Sequence, residues 1–257
     1  MGSGVCMNLG ELMCGVPNEN MYDLNKIMGT LGTRINTLLN KIAEYDWEKE
    51  ESPIEVLFYA RNILESSLTA LVGRFDPFRL IMVYKVQSST DYDIGKRSKS
   101  AVEWGVDIIA KQPVSKLNWD PEFGKEKFDR ALLGDYCGDI IWKPAFTALF
   151  DYLENQEIPS IWIEDILSKD DNGNFQSCKS EARELFSAFS KGVHSESLVD
   201  ETTILDETTV KDLVRRLLKL CSTLGLISHF IGYLVPNTSI ENAMTIFLNM
   251  EEKMNEL

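Results

Sequence analysis

The chain has 257 residues, of which 44% are apolar, so it is long enough to bury a sizeable hydrophobic core. It carries 40 acidic and 26 basic residues, which gives a net charge of −14. Non-specific binding of nucleic acid over the whole surface is therefore disfavoured, because such binding depends on neutralising phosphates.

The charge is unevenly distributed along the chain. Residues 151–207 contain 14 acidic and 4 basic residues, whereas residues 74–99 contain six basic and three acidic ones. The second stretch is where a polyanion such as RNA would bind. Four of its basic residues are the candidate contacts: Arg74, Arg79, Lys96 and Arg97. The alternative is a solvated basic surface without a partner.

Cysteine and histidine content limits the chemistry further. The five cysteines are dispersed and odd in number, a pattern typical of a reducing compartment, so we expect a cytoplasmic location. Two histidines and no Cys-x-x-Cys pair leave too few ligands for a zinc site.

No phosphate-binding loop or serine-hydrolase motif is present, and we expect no cofactor. The most apolar stretch, residues 224–235, is too short to cross a bilayer, so no membrane insertion is expected.

The sequence predicts two elements in the first 45 residues. Residues 1–20 contain glycine and asparagine and are expected to form a loosely ordered lead-in. From residue 21 onward apolar side chains recur at helical spacing, which predicts a helix over 21–45. Gly29 and Gly32 lie within this helix, where they either weaken it or allow a neighbour to approach closely.

Two start signals that contain proline follow. Ser52-Pro53-Ile54-Glu55 has the form of a capping box with proline at the first helical position, and it predicts a helix to about Gly73. Asp76-Pro77 repeats the signal and predicts a helix over 77–88. The apolar residues 80–83 inside that helix are also compatible with a strand.

Prolines and polar caps delimit the remaining elements. They predict helices, in chain order, over residues 100–112, 121–134, 144–155, 159–167, 178–191, 210–224 and 238–254. The acidic stretch 170–174 has the look of a calcium loop, but it lacks the acidic ligands at both ends, so we expect a turn. The pattern as a whole predicts an all-α bundle of roughly eight to ten helices. After the lead-in, residues 21–257 would form one domain, in which 89–140 could be a looser unit.

The predicted helix that ends near His194 has the greatest potential for chemistry. On a helical projection Ala182, Leu185 and Phe189 share one apolar face. The flank of that face carries a cation, two hydroxyls and an imidazole: Arg183, Ser187, Ser190 and His194. An imidazole at the edge of a core can accept a proton near neutral pH. Alternatively, Gly192 ends the helix and His194 bonds to its last carbonyls.

Other polar and aromatic residues fit structural roles. His229 lies in an apolar stretch and is predicted to be a satisfied core histidine. Four of the five tryptophans are predicted to anchor the core or an interface: Trp104, Trp119, Trp142 and Trp162.

Two short segments resemble a known superfamily. Phe186-Ser-Ala-Phe-Ser-Lys-Gly-Val-His194-Ser-Glu196 and Ala60-Arg61-Asn62-Ile63-Leu64-Glu65 are similar to segments of the HEPN superfamily, the helical domains of many prokaryotic toxin and antiphage-defence proteins. The resemblance covers about residues 50–235. The family's motif is an arginine, four to six residues and then a histidine. His194 matches the histidine, whereas Arg183 stands eleven residues upstream and Lys191 is nearer.

The resemblance implies cleavage of RNA without a metal. His194 would take the proton of a ribose 2′-hydroxyl, and Arg183, Lys191 or Arg61 would stabilise the charge that develops on the phosphate. Asn62 and Ser190 would join the basic residues named above in contacting the RNA.

A different class of function is also open. Many members of the superfamily are non-catalytic, so the alternative is an acidic helical adaptor that binds a protein partner in a defence complex. A partner protein or a homodimer is expected under either function. Arg61 and Asn62 could then simply form a buried polar link with Glu65.

Overall fold

The computed structural model describes residues 8–17, 20–48, 53–93, 95, 100–110, 130–154, 156–193 and 206–254. Within these ranges the protein is all-α, as the sequence predicts, with ten α-helices and no strand. Their bounds are α1 Leu9–Cys14, α2 Tyr22–Ala43, α3 Ile54–Phe75, α4 Pro77–Gln87, α5 Asp135–Cys137, α6 Lys143–Leu153, α7 Ile161–Leu167, α8 Asp171–Val193, α9 Glu207–Ser228 and α10 Ile240–Met254. These ranges also contain two π-helical turns, Trp104–Ile108 and Gly138–Trp142, and an isolated antiparallel bridge between Val16 and Asn237.

Helix α3 is the centre of the bundle. Thirteen of its 22 residues are buried, and it packs against α1, α2, α4, α8 and α9. A helix that is apolar around most of its circumference must be surrounded by neighbours to bury that surface. The side chains at the rim of α3 are therefore placed where several other helices converge.

The amino-terminal region differs from the expected lead-in. Residues 9–14 form α1, and Leu9, Leu12 and Met13 are fully buried against the body of the bundle. A Cβ atom added to Gly10 would stand 2.4 Å from the carbonyl oxygen of Gly32 in α2, so the two helices cross in backbone contact. A six-residue helix is too short to show a clear period in the sequence, which is why the pattern missed it.

Helix α4 begins at Pro77, as the sequence predicts. Residues 80–83 lie within this helix, so they do not form a strand. The side chain of Asp76 accepts a hydrogen bond from the backbone N–H of Arg79, which caps the helix before Pro77. Leu80 and Val83 face the core.

The other face of α4 is apolar as well. The side chains of Phe78, Met82 and Val86 on this face are 72%, 46% and 43% exposed to solvent.

Two predictions in the middle of the chain are wrong. Instead of a helix, residues 100–110, the described part of the predicted range, form only the π-helical turn, because Asp107 and Ile108 accept backbone hydrogen bonds from Leu132 and Leu133. The acidic stretch 170–174 is not a separate turn but the start of α8. There the Asp170 carboxylate accepts from the N–H of Gly173 at 2.6 Å and acts as a cap.

The remaining predictions of helices agree with the structure where it describes them. Helices α2, α3, α6, α7, α9 and α10 lie within a few residues of their predicted bounds. Most of the predicted helix 121–134 lies outside the described residues, and so does Trp119; of its described end, residues 132–134 form turns and a bend. Trp142 and Trp162 are buried, which confirms their prediction as core anchors.

Candidate functional site

Arg61 of α3 and the carboxyl-terminal half of α8 form one polar cluster. The Arg61 guanidinium donates a hydrogen bond to the Ser190 hydroxyl and pairs with Glu65, with Nη2–Oε1 and Nε–Oε1 distances of 3.0 and 3.1 Å. Its central carbon lies 4.2 Å from the ring centroid of Phe186. Ser190 in turn donates to the Phe186 carbonyl at 2.6 Å. We call Arg61, Glu65, Phe186 and Ser190 the Arg61 cluster.

The cluster holds a cation in a partly desolvated place. The Arg61 side chain is 15% exposed, while Glu65 is 44% exposed and keeps one edge toward solvent. Arginine suits this position because its planar guanidinium can stack on a ring while its N–H groups bond in the plane. Of the structural alternative, the contact between Arg61 and Glu65 is present, but the Glu65 side chain is not buried, and Asn62 donates to the Phe58 carbonyl.

Trp104 extends the cluster on its far side. Its indole stacks on Phe186 with 3.8 Å between ring centroids and 14° between planes. Because both Trp104 and Arg61 approach the same ring within 4.2 Å, they occupy its opposite faces. The column Arg61–Phe186–Trp104 thus joins α3, α8 and the first π-helical turn.

Arg79 fixes that turn rather than standing free as a candidate RNA contact. Its guanidinium bonds both carboxylate oxygens of Asp107 at 3.2 and 3.0 Å and the carbonyl of Ala101 at 3.0 Å. The bond to Asp107 raises the pKa of Arg79 above its usual range. A bidentate pair of this kind orients the turn that carries Trp104.

A cleft of about 400 Å³ opens beside the Arg61 cluster, between α2, α3, α4 and the first π-helical turn. Its apolar part comprises Ile27, Leu31, Leu80, Val83, Val102 and Ile108. Polar side chains Arg34, Asn62, Glu65 and Gln87 lie among them, together with Trp104 and Tyr84. We call this the α2–α4 cleft. Asn62 also donates to the Phe58 carbonyl at 2.8 Å, so its amide is oriented by its own helix.

The other predicted residues of α8 lie on the surface. Arg183 and Lys191 are both exposed, and Arg183 precedes Ser190 by seven residues, which is roughly 10 Å along a helix axis. Arg61, and not Arg183, is therefore the cation that the fold brings to the last turns of α8. His194, Lys96 and Arg97 lie outside the described residues.

Arg74 is not a surface residue, which corrects its prediction as a contact for RNA. It is 1% exposed, and its guanidinium donates to the carbonyls of Pro236 and Met13 and to the Ser228 hydroxyl, at 2.9, 3.3 and 2.6 Å. It also donates to Asn237 at 3.1 Å. The sequence could not show this, because every partner lies at least 61 residues away.

His229 is buried beside Arg74, which confirms its prediction as a core histidine. Its Nε2 lies 2.8 Å from the Leu12 carbonyl, and its Nδ1 lies 3.4 Å from the Arg74 guanidinium. Burial and the neighbouring positive charge lower the pKa of His229 to about 4. Burial likewise lowers the pKa of Arg74 to about 10 and raises that of Cys14 to about 12. This group fastens α1 to the end of α9 and is structural.

Comparison of the chain with protein-family models, with curated proteins and with solved structures finds no match. None of the helices within the described ranges has the length and apolarity needed to cross a membrane. In those same ranges no three His, Cys, Asp or Glu side chains come together as a metal site.

Proposed function

We propose that the protein is a HEPN-like helical protein of a prokaryotic toxin or defence system that cleaves RNA without a metal. The observation that supports this is the contact between Arg61 and Ser190. These residues belong to the two segments that resemble the superfamily, and they stand 129 residues apart in the chain. The fold thus brings a cation from one segment to the helix that leads into His194 in the other.

In the proposed reaction, His194 removes the proton of a ribose 2′-hydroxyl. The 2′-oxygen attacks the adjacent phosphorus, and the bond to the 5′-oxygen of the next nucleotide breaks. Arg61 stabilises the negative charge that develops on the phosphoryl oxygens, for which a preoriented guanidinium in a partly desolvated site is well suited. The products are a 2′,3′-cyclic phosphate and a free 5′-hydroxyl, the latter protonated by solvent or by His194.

The test is cleavage of single-stranded RNA by the purified protein in the presence of EDTA, with the RNA termini identified afterwards. We expect wild type to leave 2′,3′-cyclic phosphates and His194→Ala to be inactive. Arg61→Met should lower the rate by about a hundredfold or more, as removing one preoriented donor does elsewhere.

A matched variant tests the choice of cation. Arg183→Met removes an exposed arginine of the same helix and should leave the rate within twofold of wild type. An inactive wild-type protein, or equal activity of wild type and His194→Ala, would exclude the nuclease.

The adaptor alternative has an observation of its own. Phe78, Met82 and Val86 form an exposed apolar stripe on α4, spaced at four residues and therefore on one helix face. Apolar patches of this kind mark surfaces where proteins associate. If the adaptor function is right, the double substitution Phe78→Glu and Met82→Glu should abolish self-association or partner binding in light scattering and pull-down. A wild-type protein that is monomeric and retains no stoichiometric partner would exclude it.

A further inference from the structure

The α2–α4 cleft has the size of a ligand site. Its volume of about 400 Å³ falls within the range of about 300–1,000 Å³ that pockets for small molecules occupy. Buried apolar side chains such as Leu31 and Leu80 belong to its wall, while Asn62 and Gln87 add hydrogen-bonding groups. A mixed wall of this kind binds a compact molecule with an apolar body and few polar groups.

The charges around the cleft favour an anion. Arg34 and Glu65 are its only charged lining residues among those the structure describes. Glu65 is already neutralised by its ion pair with Arg61, whereas Arg34 forms no ion pair with a described carboxylate. The cleft therefore has one uncompensated positive charge. An exposed guanidinium of this kind binds a phosphate or carboxylate through paired N–H groups.

Trp104 favours a planar ring in the ligand. One face of its indole is covered by Phe186, so the part it contributes to the cleft is the other face or an edge. Its position is fixed by the stack on Phe186 and by the ion pair between Arg79 and Asp107. A preoriented indole is a surface on which aromatic rings such as nucleobases stack.

We propose that the α2–α4 cleft binds a planar aromatic ring that carries one anionic group, a molecule of about the size of a mononucleotide. The ring packs against Trp104 and the apolar wall, and the anionic group pairs with Arg34. Such chemistry occurs in a free mononucleotide and in a nucleotide of an RNA strand. The groups proposed to hold the ligand, Arg34 and Trp104, take no part in the proposed cleavage chemistry, although Glu65 of the cleft wall pairs with Arg61.

Isothermal titration of the full-length protein with adenosine 5′-monophosphate tests the proposal. We expect saturable binding of one molecule per chain, with adenosine at least tenfold weaker because it lacks the phosphate. Decanoate, an anion without a ring, should bind no better than adenosine. Absence of binding by the monophosphate, or tighter binding by decanoate, would overturn the proposal.

Two substitutions on one helix locate the anion. Arg34→Gln should weaken the monophosphate about tenfold and leave adenosine unchanged, consistent with loss of a charge-assisted hydrogen bond. Lys41→Gln removes the same charge from α2 but lies outside the cleft, so it should bind as wild type does. Equal affinities of Arg34→Gln and wild type would count against the site.

An RNA strand that cannot be cleaved shows whether the natural ligand is a free mononucleotide or a nucleotide within RNA. A 2′-O-methyl trinucleotide that binds tighter than the monophosphate identifies an RNA strand as the ligand, and weaker binding identifies the free nucleotide. RNA cleavage by wild type is measured in the same preparations. If the protein binds the monophosphate but does not cleave RNA, the proposed ligand site stands and the proposed nuclease is excluded. If it cleaves RNA but does not bind the monophosphate, the nuclease stands and the ligand site is excluded.

Discussion

Arg61 donates a hydrogen bond to Ser190 across the interface between α3 and α8. The same guanidinium pairs with Glu65 and stacks on Phe186, so three different interactions fix one side chain. The constraint has a consequence for stability as well as for the proposed chemistry, and the two can be measured separately.

A double-mutant cycle should detect the contact between Arg61 and Ser190. Arg61→Met and Ser190→Ala remove the same charge-assisted hydrogen bond, so their effects on the free energy of unfolding should not add. We expect a coupling of about 1 kcal/mol from urea denaturation of the four proteins. Pairing Arg61→Met with Ser187→Ala, an exposed serine of the same helix, is the control and should give additive effects. Additivity in both pairs would show that the hydrogen bond contributes nothing.

Two glycines of the amino-terminal helices should respond oppositely to alanine. Gly10→Ala places a methyl group 2.4 Å from the backbone oxygen of Gly32, so α1 must move from α2, at a cost of about 1–3 kcal/mol. Gly29→Ala meets no atom within 4 Å and lies on the exposed face of α2. It should stabilise the protein by about 0.5–1 kcal/mol through helix propensity. Urea midpoints of both variants check the signs, and a stabilising Gly10→Ala would contradict the close crossing.

Removing the buried guanidinium should be among the most damaging single changes. Arg74→Met keeps most of the side-chain volume but leaves the Pro236 and Met13 carbonyls without their donor. Each buried acceptor left unsatisfied costs about 1–3 kcal/mol, so we expect a loss of about 2–5 kcal/mol in the free energy of unfolding. Arg183→Met, at an exposed position, should change it by less than about 0.5 kcal/mol. Similar urea midpoints for the two variants would contradict the structural role of Arg74.

The predictions from sequence succeed where local signals decide the structure. Helices α2 and α3 follow from apolar periodicity, and α4 follows from the cap at Asp76, which acts within three residues of the chain. The predicted core position of His229 likewise follows from its apolar neighbours. The sequence also selects Arg61 and Ser190 separately, as members of two motifs.

What the sequence could not predict depends on contacts between distant segments. Arg74 has the same local surroundings as a surface arginine, and only Met13, Ser228 and Pro236 determine that it is buried. Trp104 lies in a π-helical turn because a distant segment pairs with the residues after it. The α2–α4 cleft is equally invisible in the sequence, since its wall is assembled from four elements.

Acid should destabilise the protein through His229. Burial and the charge of Arg74 lower the pKa of this imidazole to about 4 in the folded chain, whereas an unfolded chain titrates near 6.5. Above pH 6.5 the imidazole is neutral in both states and has no effect on the pH dependence. As the pH falls from 6.5 toward 4, only the unfolded state takes up the proton, so stability is lost over this window.

The lowered pKa of His229 also sets the size of the loss of stability in acid. We expect about 3 kcal/mol of the free energy of unfolding to be lost between pH 7 and pH 4 because of His229 alone. Carboxylates contribute to acid denaturation as well, so the measurement is the difference between wild type and His229→Gln in urea titrations at each pH. The variant keeps hydrogen-bonding groups near the Leu12 carbonyl and should lack this part of the pH dependence. If the free energies of unfolding of the two proteins fall in parallel from pH 7 to pH 4, the imidazole takes up a proton in the folded state as well. The conclusion that a neutral His229 fastens α1 would then be wrong.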